Sequence, residues 1–305
     1  MRRRIKRLRP GSNNWKRVDD QDFIYEQIEM NSILADSSTP TLIKALEVNL
    51  HGHIPLFGRM PRTTVWQEDG FLAVLTGLDP SECHVYLAHY GPDEADAKIK
   101  HVLERYRSQG CLPMYWQVGP STQPAGLGKD LEACGFTFFA RAPGMAVDLR
   151  KLEHTPRLPD GFIVEPVRTG DQLRQWVNIL AQVDDLSNAL RDGFYLMFDG
   201  LGLDPNSDSQ LFLGMEDGRA VATSRLFCAG GVAGIWHVTT LPEARGKGYG
   251  TAMTMAVAQA GHQKGCRFGI LYATPAGYGV YRRLGFQEYC HIDVYKSPGL
   301  KGVTP

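Results

Sequence analysis

No apolar run in the 305 residues reaches the roughly 18 that a membrane-crossing helix requires, so no membrane partner is expected. Net charge is missing as well: 33 Lys and Arg balance 33 Asp and Glu, which removes any global electrostatic argument for nucleic acid. The cysteines are few and scattered. Cys83, Cys111, Cys134, Cys228, Cys266 and Cys290 form no CxxC or other ligand spacing, and they read as reduced thiols of a cytoplasmic protein without a metal centre. His51-Gly-His53 reads as a loop rather than a ligand pair. Two phosphate-binding signatures are lacking. No GxxxxGK[ST] occurs, and a GxGxxG reading of Gly246-Lys-Gly248-Tyr-Gly250-Thr251 fails because Thr251 stands at its last glycine.

What is present begins with six cationic residues among the first ten. No apolar core follows, which argues against a secretory signal, and residues 1–18 are expected to be a solvated basic extension. A contact with nucleic acid or an acidic surface is the other reading of such a tail, and nucleic acid is not the expected partner.

The most informative stretch runs from Trp236 to Thr251. An apolar strand pattern from Val232 ends in Thr239-Thr240. Then come Arg245, Gly246, Lys247, Gly248, Tyr249 and Gly250, and beyond them Met253, Ala256, Val257 and Ala260 recur at one-face helical spacing. Strand, glycine loop and helix start together build an anion site. Glycines let backbone N–H groups turn toward a ligand, and the helix N-terminus adds free donors and partial positive charge. A diphosphate fits that potential.

Arg245-x-x-Gly248-x-Gly250 after a strand resembles the pyrophosphate loop of the GCN5-related N-acetyltransferase (GNAT) superfamily. A second motif, Val280-Tyr281-Arg-Arg-Leu-Gly285-Phe286, is similar to that family's Leu-Tyr-x-x-Leu-Gly-Phe, with valine for leucine.

The chain reads as one plan used twice. Helical patterns from about Asp19 to Leu50 precede strand-like segments at 63–67, 71–76 and 84–90. A helix capped by Asp93 then buries Ile99, Val102, Leu103 and Tyr106, followed by a strand at 112–118, a short helix and a final strand pair to about Leu149. Residues 151–160 are a polar, proline-broken linker. The plan restarts at 161 with a strand at 162–167, helices at 171–183 and 187–200, and strands at 210–215, 220–228, 232–240 and 268–274. A short helix and two strand-like runs to Lys296 complete it. Gly285-Phe286 repeats Gly135-Phe136 150 positions on, and the helix faces starting at Ile99 and Met253 are 154 apart. The expected fold is therefore α/β: two GNAT-like domains, 19–150 and 161–297, each a mixed, mostly antiparallel sheet flanked by helices, with a tail at 298–305. The first copy is degenerate. It has Gly91-Pro-Asp93-Glu94-Ala-Asp96 where the second has the cationic glycine loop, and Leu131 where the second has Tyr281.

The resemblance implies an acetyl-CoA-dependent N-acetyltransferase, with acetyl-CoA as co-substrate and an amine of a small molecule or peptide as acceptor. It places the diphosphate on Arg245, Gly246, Lys247, Gly248, Tyr249, Gly250 and Thr251. The pantetheine arm falls on Val238, Thr239 and Thr240, and the Val238 N–H would polarise the thioester carbonyl. Tyr281 would return a proton to the departing thiolate. Thr274 stands where the family often has asparagine. The strand glutamate that serves some relatives as base corresponds to Gly234, which leaves His237 or a water relay to Asp184, Asp185, Glu216 or Asp217. By parity His237 faces away from Val238 unless a bulge intervenes. A non-catalytic acyl-CoA sensor is the alternative function. Nothing in the sequence bears on oligomeric state or names the amine.

Overall fold

The computed structural model describes residues 16–17, 33–68, 70–91, 93–152 and 159–299. Residues 1–15 and 18–32, with most of the basic tail and the start of the first expected helical stretch, the middle of the linker and residues 300–305 lie outside those residues. Within the stretch expected to be a solvated extension, Lys16 and Arg17 form a strand opposite Gln67 and Trp66.

In chain order the first half contains β1 (Lys16–Arg17), α1 (Thr39–Gly52), a 3-10 turn at Ile54–Arg59, β2 (Thr63–Glu68) and β3 (Phe71–Thr76). A 3-10 turn at Pro80–Glu82 leads to β4 (His84–Tyr86), α2 (Ala95–Ser108), β5 (Tyr115–Val118), α3 (Leu127–Ala133) and β6 (Thr137–Asp148). The second half begins with β7 (Phe162–Pro166), α4 (Gly170–Val183), α5 (Asn188–Asp199), β8 (Ser209–Glu216), β9 (Arg219–Ala229) and β10 (Val232–Thr240). After the glycine loop come α6 (Tyr249–Gln263), β11 (Phe268–Tyr272), α7 (Pro275–Arg283) and β12 (Gln287–Lys296).

Local chemistry sets several boundaries. Thr169 and Gln172 form a reciprocal capping box at α4, and Ser187 caps α5 through the Leu190 N–H. Gly248, with φ +86°, is the N-cap of α6, a conformation that would strain any residue with a Cβ. Along α4, Leu173, Trp176, Val177, Ile179 and Leu180 are buried at helical spacing, and Trp176 is fully sealed. Burying a large apolar side chain of this kind contributes about 1.5–3 kcal/mol.

All twelve strands join one mixed sheet in the order β1-β2-β3-β4-β5-β12-β6-β11-β10-β9-β8-β7. Only β4 with β5 and β10 with β11 run parallel. The centre is a long antiparallel pair, β6 with β12, from Thr137 opposite Lys296 to Ala146 opposite Gln287. Past this pair, β6 bonds β11 through Gly144–Asp148, and β12 bonds β5 through Asp293–Lys296. Each half thus lends its last strand to the edge of the other. The sheet runs without a break between the halves.

The repeat read from the sequence recurs in backbone detail. Gly135 and Gly285 have φ of +88° and +92°, and the next N–H in each case, of Phe136 and Phe286, donates to Leu131 O and Tyr281 O at 3.0 Å. Leu87 and His237, also 150 apart, both adopt positive φ, at +55° and +50°.

Three local expectations need correction. Each expected terminal strand pair is a single long strand, β6 and β12 each lying inside the sheet and bonding one neighbour along each edge. The strand expected to reach residue 90 stops at Tyr86, where Leu87 turns into the left-handed region. Asp93 does not cap α2. That helix starts at Ala95 with no side-chain cap, while the Glu94 carboxylate turns back to accept from the Gly91 N–H at 2.8 Å.

Candidate active site

The glycine loop is open. A Cβ placed on Gly246 or Gly250 would meet no atom within 4 Å, and one on Gly248 would meet only Pro159 Cγ at 3.8 Å. Residues 245–248 are exposed, and the first turn of α6, with Gly250 and Thr251, presents its unpaired N–H groups beside them. Arg245 is steadied by donating Nε to Thr240 O at 3.1 Å. Lys247 reaches across to Glu216 (Nζ to Oε1, 2.5 Å), and Tyr249 donates its hydroxyl to the same oxygen. The Tyr249 ring stacks on Phe162 with centroids 4.0 Å apart and is buried, so at the loop mouth it offers its main chain alone. Both donors hold Glu216 below its usual carboxylate range, and that carboxylate pushes the Tyr249 phenol up to about 12. Glu216 and Asp217 therefore belong to the β8–β9 turn beside this loop. Of the four carboxylates expected as relay candidates, Asp184 and Asp185 line a separate cavity and Glu216 and Asp217 do not.

β10 and β11 splay as the loop is approached. They pair only at Ala233–Gly269 and Gly234–Ile270, while β10 stays bonded to β9 as far as Thr240. Between Trp236 and Thr239 the β9–β10 register shifts, and this bulge contains His237 with its positive φ. Thr223 Oγ1 donates to His237 O at 2.9 Å and fixes the kink. Thr239 returns to the ladder opposite Thr223, and Thr240 opposite Ala222. Val238, inside the bulge, is free of both ladders.

The corresponding corner of the first half is stitched shut. Ala88 and Tyr90 stand 150 positions before Val238 and Thr240. Gln123 N donates to Ala88 O at 2.9 Å, and Tyr90 N donates to Gln123 O at 3.0 Å. Chain from the 119–124 segment thus occupies the gap that the splay leaves open in the second half. The Glu94 carboxylate covers the Gly91 amide at the head of α2.

Tyr281 is nearly buried on α7, edge-on to Phe286 at 5.9 Å, and burial pushes its phenol up to about 12. Thr274 is the N-cap of α7, its hydroxyl oxygen accepting from the Gly277 N–H at 3.2 Å. That acceptor is committed to the helix.

A cavity of about 450 Å³ adjoins the bulge and is built from both halves. His53, Phe57 and Glu82 come from the first half, and Asp184, Arg225 and His237 from the second. The His237 ring is caged by Trp176, Phe194 and Phe198. Burial, then the Arg225 charge, lowers His237 to about 3, so its imidazole is neutral throughout the ordinary pH range. Glu82 shifts the opposite way, to about 8, through burial and the neighbouring Asp79 and Asp184 carboxylates. Asp184 is also raised by burial. Neither Glu82 nor Arg225 is singled out by sequence pattern as a site residue. Glu82 hides in an ordinary turn, whereas Arg225 leaves one legible sign, a charge in the interior of a strand.

The space over Gly234, the position expected to correspond to a strand glutamate, is physically filled. A Cβ on Gly234 would stand 2.1 Å from Asn49 Oδ1 and 2.5 Å from Trp236 Nε1.

Comparison with known proteins bears on the family and the fold. Residues 207–288 match the acetyltransferase (GNAT) domain family model. A GCN5-related N-acetyltransferase from Kribbella flavida superposes with a TM-score of 0.64 at 21% identity, covering 85% of this chain and 96% of its own. A tandem GNAT protein from the clavulanic acid biosynthesis pathway gives 0.57 at 16% identity, covering 87% and 96%. A GCN5-related N-acetyltransferase from Sphaerobacter thermophilus gives 0.56 at 14% identity, covering 88% and 96%. No curated protein sequence matches the chain. Residues 207–288 thus resemble a GNAT acetyltransferase domain, and the chain has the fold of GCN5-related N-acetyltransferases, a tandem one among them.

Proposed function

We propose that the protein is an acetyl-CoA-dependent N-acetyltransferase whose single cofactor site lies in the second half, at 161–297, and whose acceptor is a primary amine bound in the cavity between the halves. The observation that carries this reading is the contrast between the two equivalent corners. The loop at 246–251 is open and flanked by a splayed strand, while Gln123 and Glu94 fill the matching corner of the first half at 19–150. The first half then serves as scaffold and cavity wall, a degenerate copy.

Acetyl-CoA supplies the activated acetyl group. The N–H groups of 246–251, with Arg245 and Lys247, hold the diphosphate. Main-chain groups of Val238, Thr239 and Thr240 align the arm, and the bulge at His237 turns the Val238 N–H toward the thioester oxygen. Tyr281 keeps its proton past pH 10 and delivers it to the leaving sulfur. The ammonium of the acceptor must lose a proton before attack. Glu82 and Asp184 are better placed to take it than the neutral, weakly basic His237, whose part is to shape the bulge and wall the cavity.

The test is thiol release from acetyl-CoA with a panel of primary amines. Amine-dependent release supports transfer. Acetyl-CoA binding with release no faster than blank for every amine would favour the sensor reading instead.

A further inference from the structure

Arg225 is the side chain that the transfer chemistry leaves unused. It lies in the middle of β9, opposite Leu211 on β8 and Trp236 on β10, and is only 1% exposed. No carboxylate among the described residues pairs with it. Its Nε donates to Ser209 Oγ at 3.0 Å, and its guanidinium rests over the Phe198 and Phe227 rings at 5.2 and 4.9 Å. Nη2 is buried with no hydrogen-bond partner among the described residues. A buried cation without a counter-ion carries a desolvation cost of several kcal/mol, and a fold that needed only volume here would be better served by an apolar residue. The ring contacts recover part of that cost but leave the donor edge of the fork unpaired.

Arg225 lines the cavity beside the bulge, together with the imidazoles of His53 and His237 and the carboxylates of Glu82, Asp184 and Asp185. Arg225 lies close to His53 and His237. Both imidazoles are lowered by burial and by the Arg225 charge, so they are neutral and compensate nothing. Glu82 and Asp184 form a second group, close enough for Asp184 to raise Glu82, and Asp185 lines the same cavity. An acidic group attracts an ammonium, and a lone cation attracts an anion. A volume of about 450 Å³ lies within the roughly 300–1,000 Å³ of small-molecule sites.

We infer that Arg225 anchors a carboxylate of the acceptor, so that the amine acetylated here belongs to an amino acid or a similarly small carboxylate-bearing amine, held with its amino group toward Glu82 and Asp184. This rests on the transferase reading above and names its substrate class. The charge count selects carboxylate over phosphate: among the described residues Arg225 is the only Lys or Arg lining the cavity, one positive charge matches a monoanion, and the neighbouring imidazoles add no second. A planar fork also fits a planar carboxylate through two parallel hydrogen bonds.

The experiment uses the full chain with saturating acetyl-CoA. It measures kcat/KM for amino acids, each beside its primary amide and its decarboxylated amine, with phosphoethanolamine as the phosphate arm. The acids should be favoured over their amides by at least about tenfold, the worth of one charged hydrogen bond. In Arg225→Met that ratio should fall to about one through a raised KM for the acid, and Arg225→Lys should restore part of it. Melting curves show whether each variant folds; should Arg225→Met fail to fold, the wild-type ratio and Arg225→Lys decide. Equal use of acids and amides, preference for phosphoethanolamine, or an unchanged ratio in Arg225→Met overturns the anchor while leaving the transferase reading intact. Failure of the wild-type protein to bind acetyl-CoA would instead remove the reading beneath it.

Discussion

Asn49, at the end of α1, accepts a hydrogen bond from Trp236 Nε1 at 3.0 Å directly over Gly234 of β10. Its amide also donates to Phe227 O and Ala229 O, at 2.9 and 3.1 Å. A first-half side chain thus fills the space over Gly234 on β10. Asn49→Ala would leave two carbonyls and an indole N–H short of partners at a fully buried site, and we expect a loss of about 2–4 kcal/mol in denaturant unfolding. Gly234→Ala meets the same obstruction and should cost about 1–3 kcal/mol. Pairing it with Asn49→Gly should recover part of that loss, and strict additivity of the two changes would contradict the contact.

Gly250 separates binding from folding. A side chain there enters open space, so Gly250→Val should cost less than about 1 kcal/mol of stability. It should nevertheless raise the Kd for acetyl-CoA by at least about tenfold, because it covers the amides of the first turn of α6. Titration calorimetry beside a melting curve reads both quantities, and unaltered affinity would count against the loop.

Tyr281→Phe should lower kcat by roughly 10²–10⁴-fold with little change in acetyl-CoA affinity. Because burial lifts the phenol to about 12, the wild-type rate should show no fall attributable to this group as pH passes 10. A descending limb centred near 10 that vanishes in Tyr281→Phe would show an unshifted tyrosine.

Burial lowers His51 and His237 to about 3, His84 to about 4 and His53 well below its usual value. A group depressed in the fold contributes stability that is full above its unfolded value of 6.5 and is lost as pH falls toward the folded value. Glu82 acts oppositely, contributing below about 4.5 and losing that contribution as pH rises to about 8. Four histidines outweigh one carboxyl, so the melting temperature should drop from pH 6.5 to 4, less steeply in His237→Gln. A flat profile over that window would mean the rings are not sealed as described.

Much of this molecule is legible in its residues where the cause is local. Gly135-Phe136 and Gly285-Phe286 announce the repeat because a helix ending in a left-handed glycine needs that residue type. The loop at 246–251 is readable because glycine spacing and helix onset are short-range signals. The exchange of β6 and β12 is not, since the choice of strand partner lies in long-range packing and leaves no periodicity. The bulge at His237 also escapes parity counting, for one residue of positive φ reverses every face after it. The acidic wall at Glu82 stays hidden for a third reason: it becomes part of a site only when the first half folds against the second.

Amide hydrogen exchange with and without CoA tests the central claim most directly. The account predicts protection of the 246–251 amides and of Val238 and Thr240, with no change at 88–96. Protection at 88–96, or none at 246–251, would contradict it.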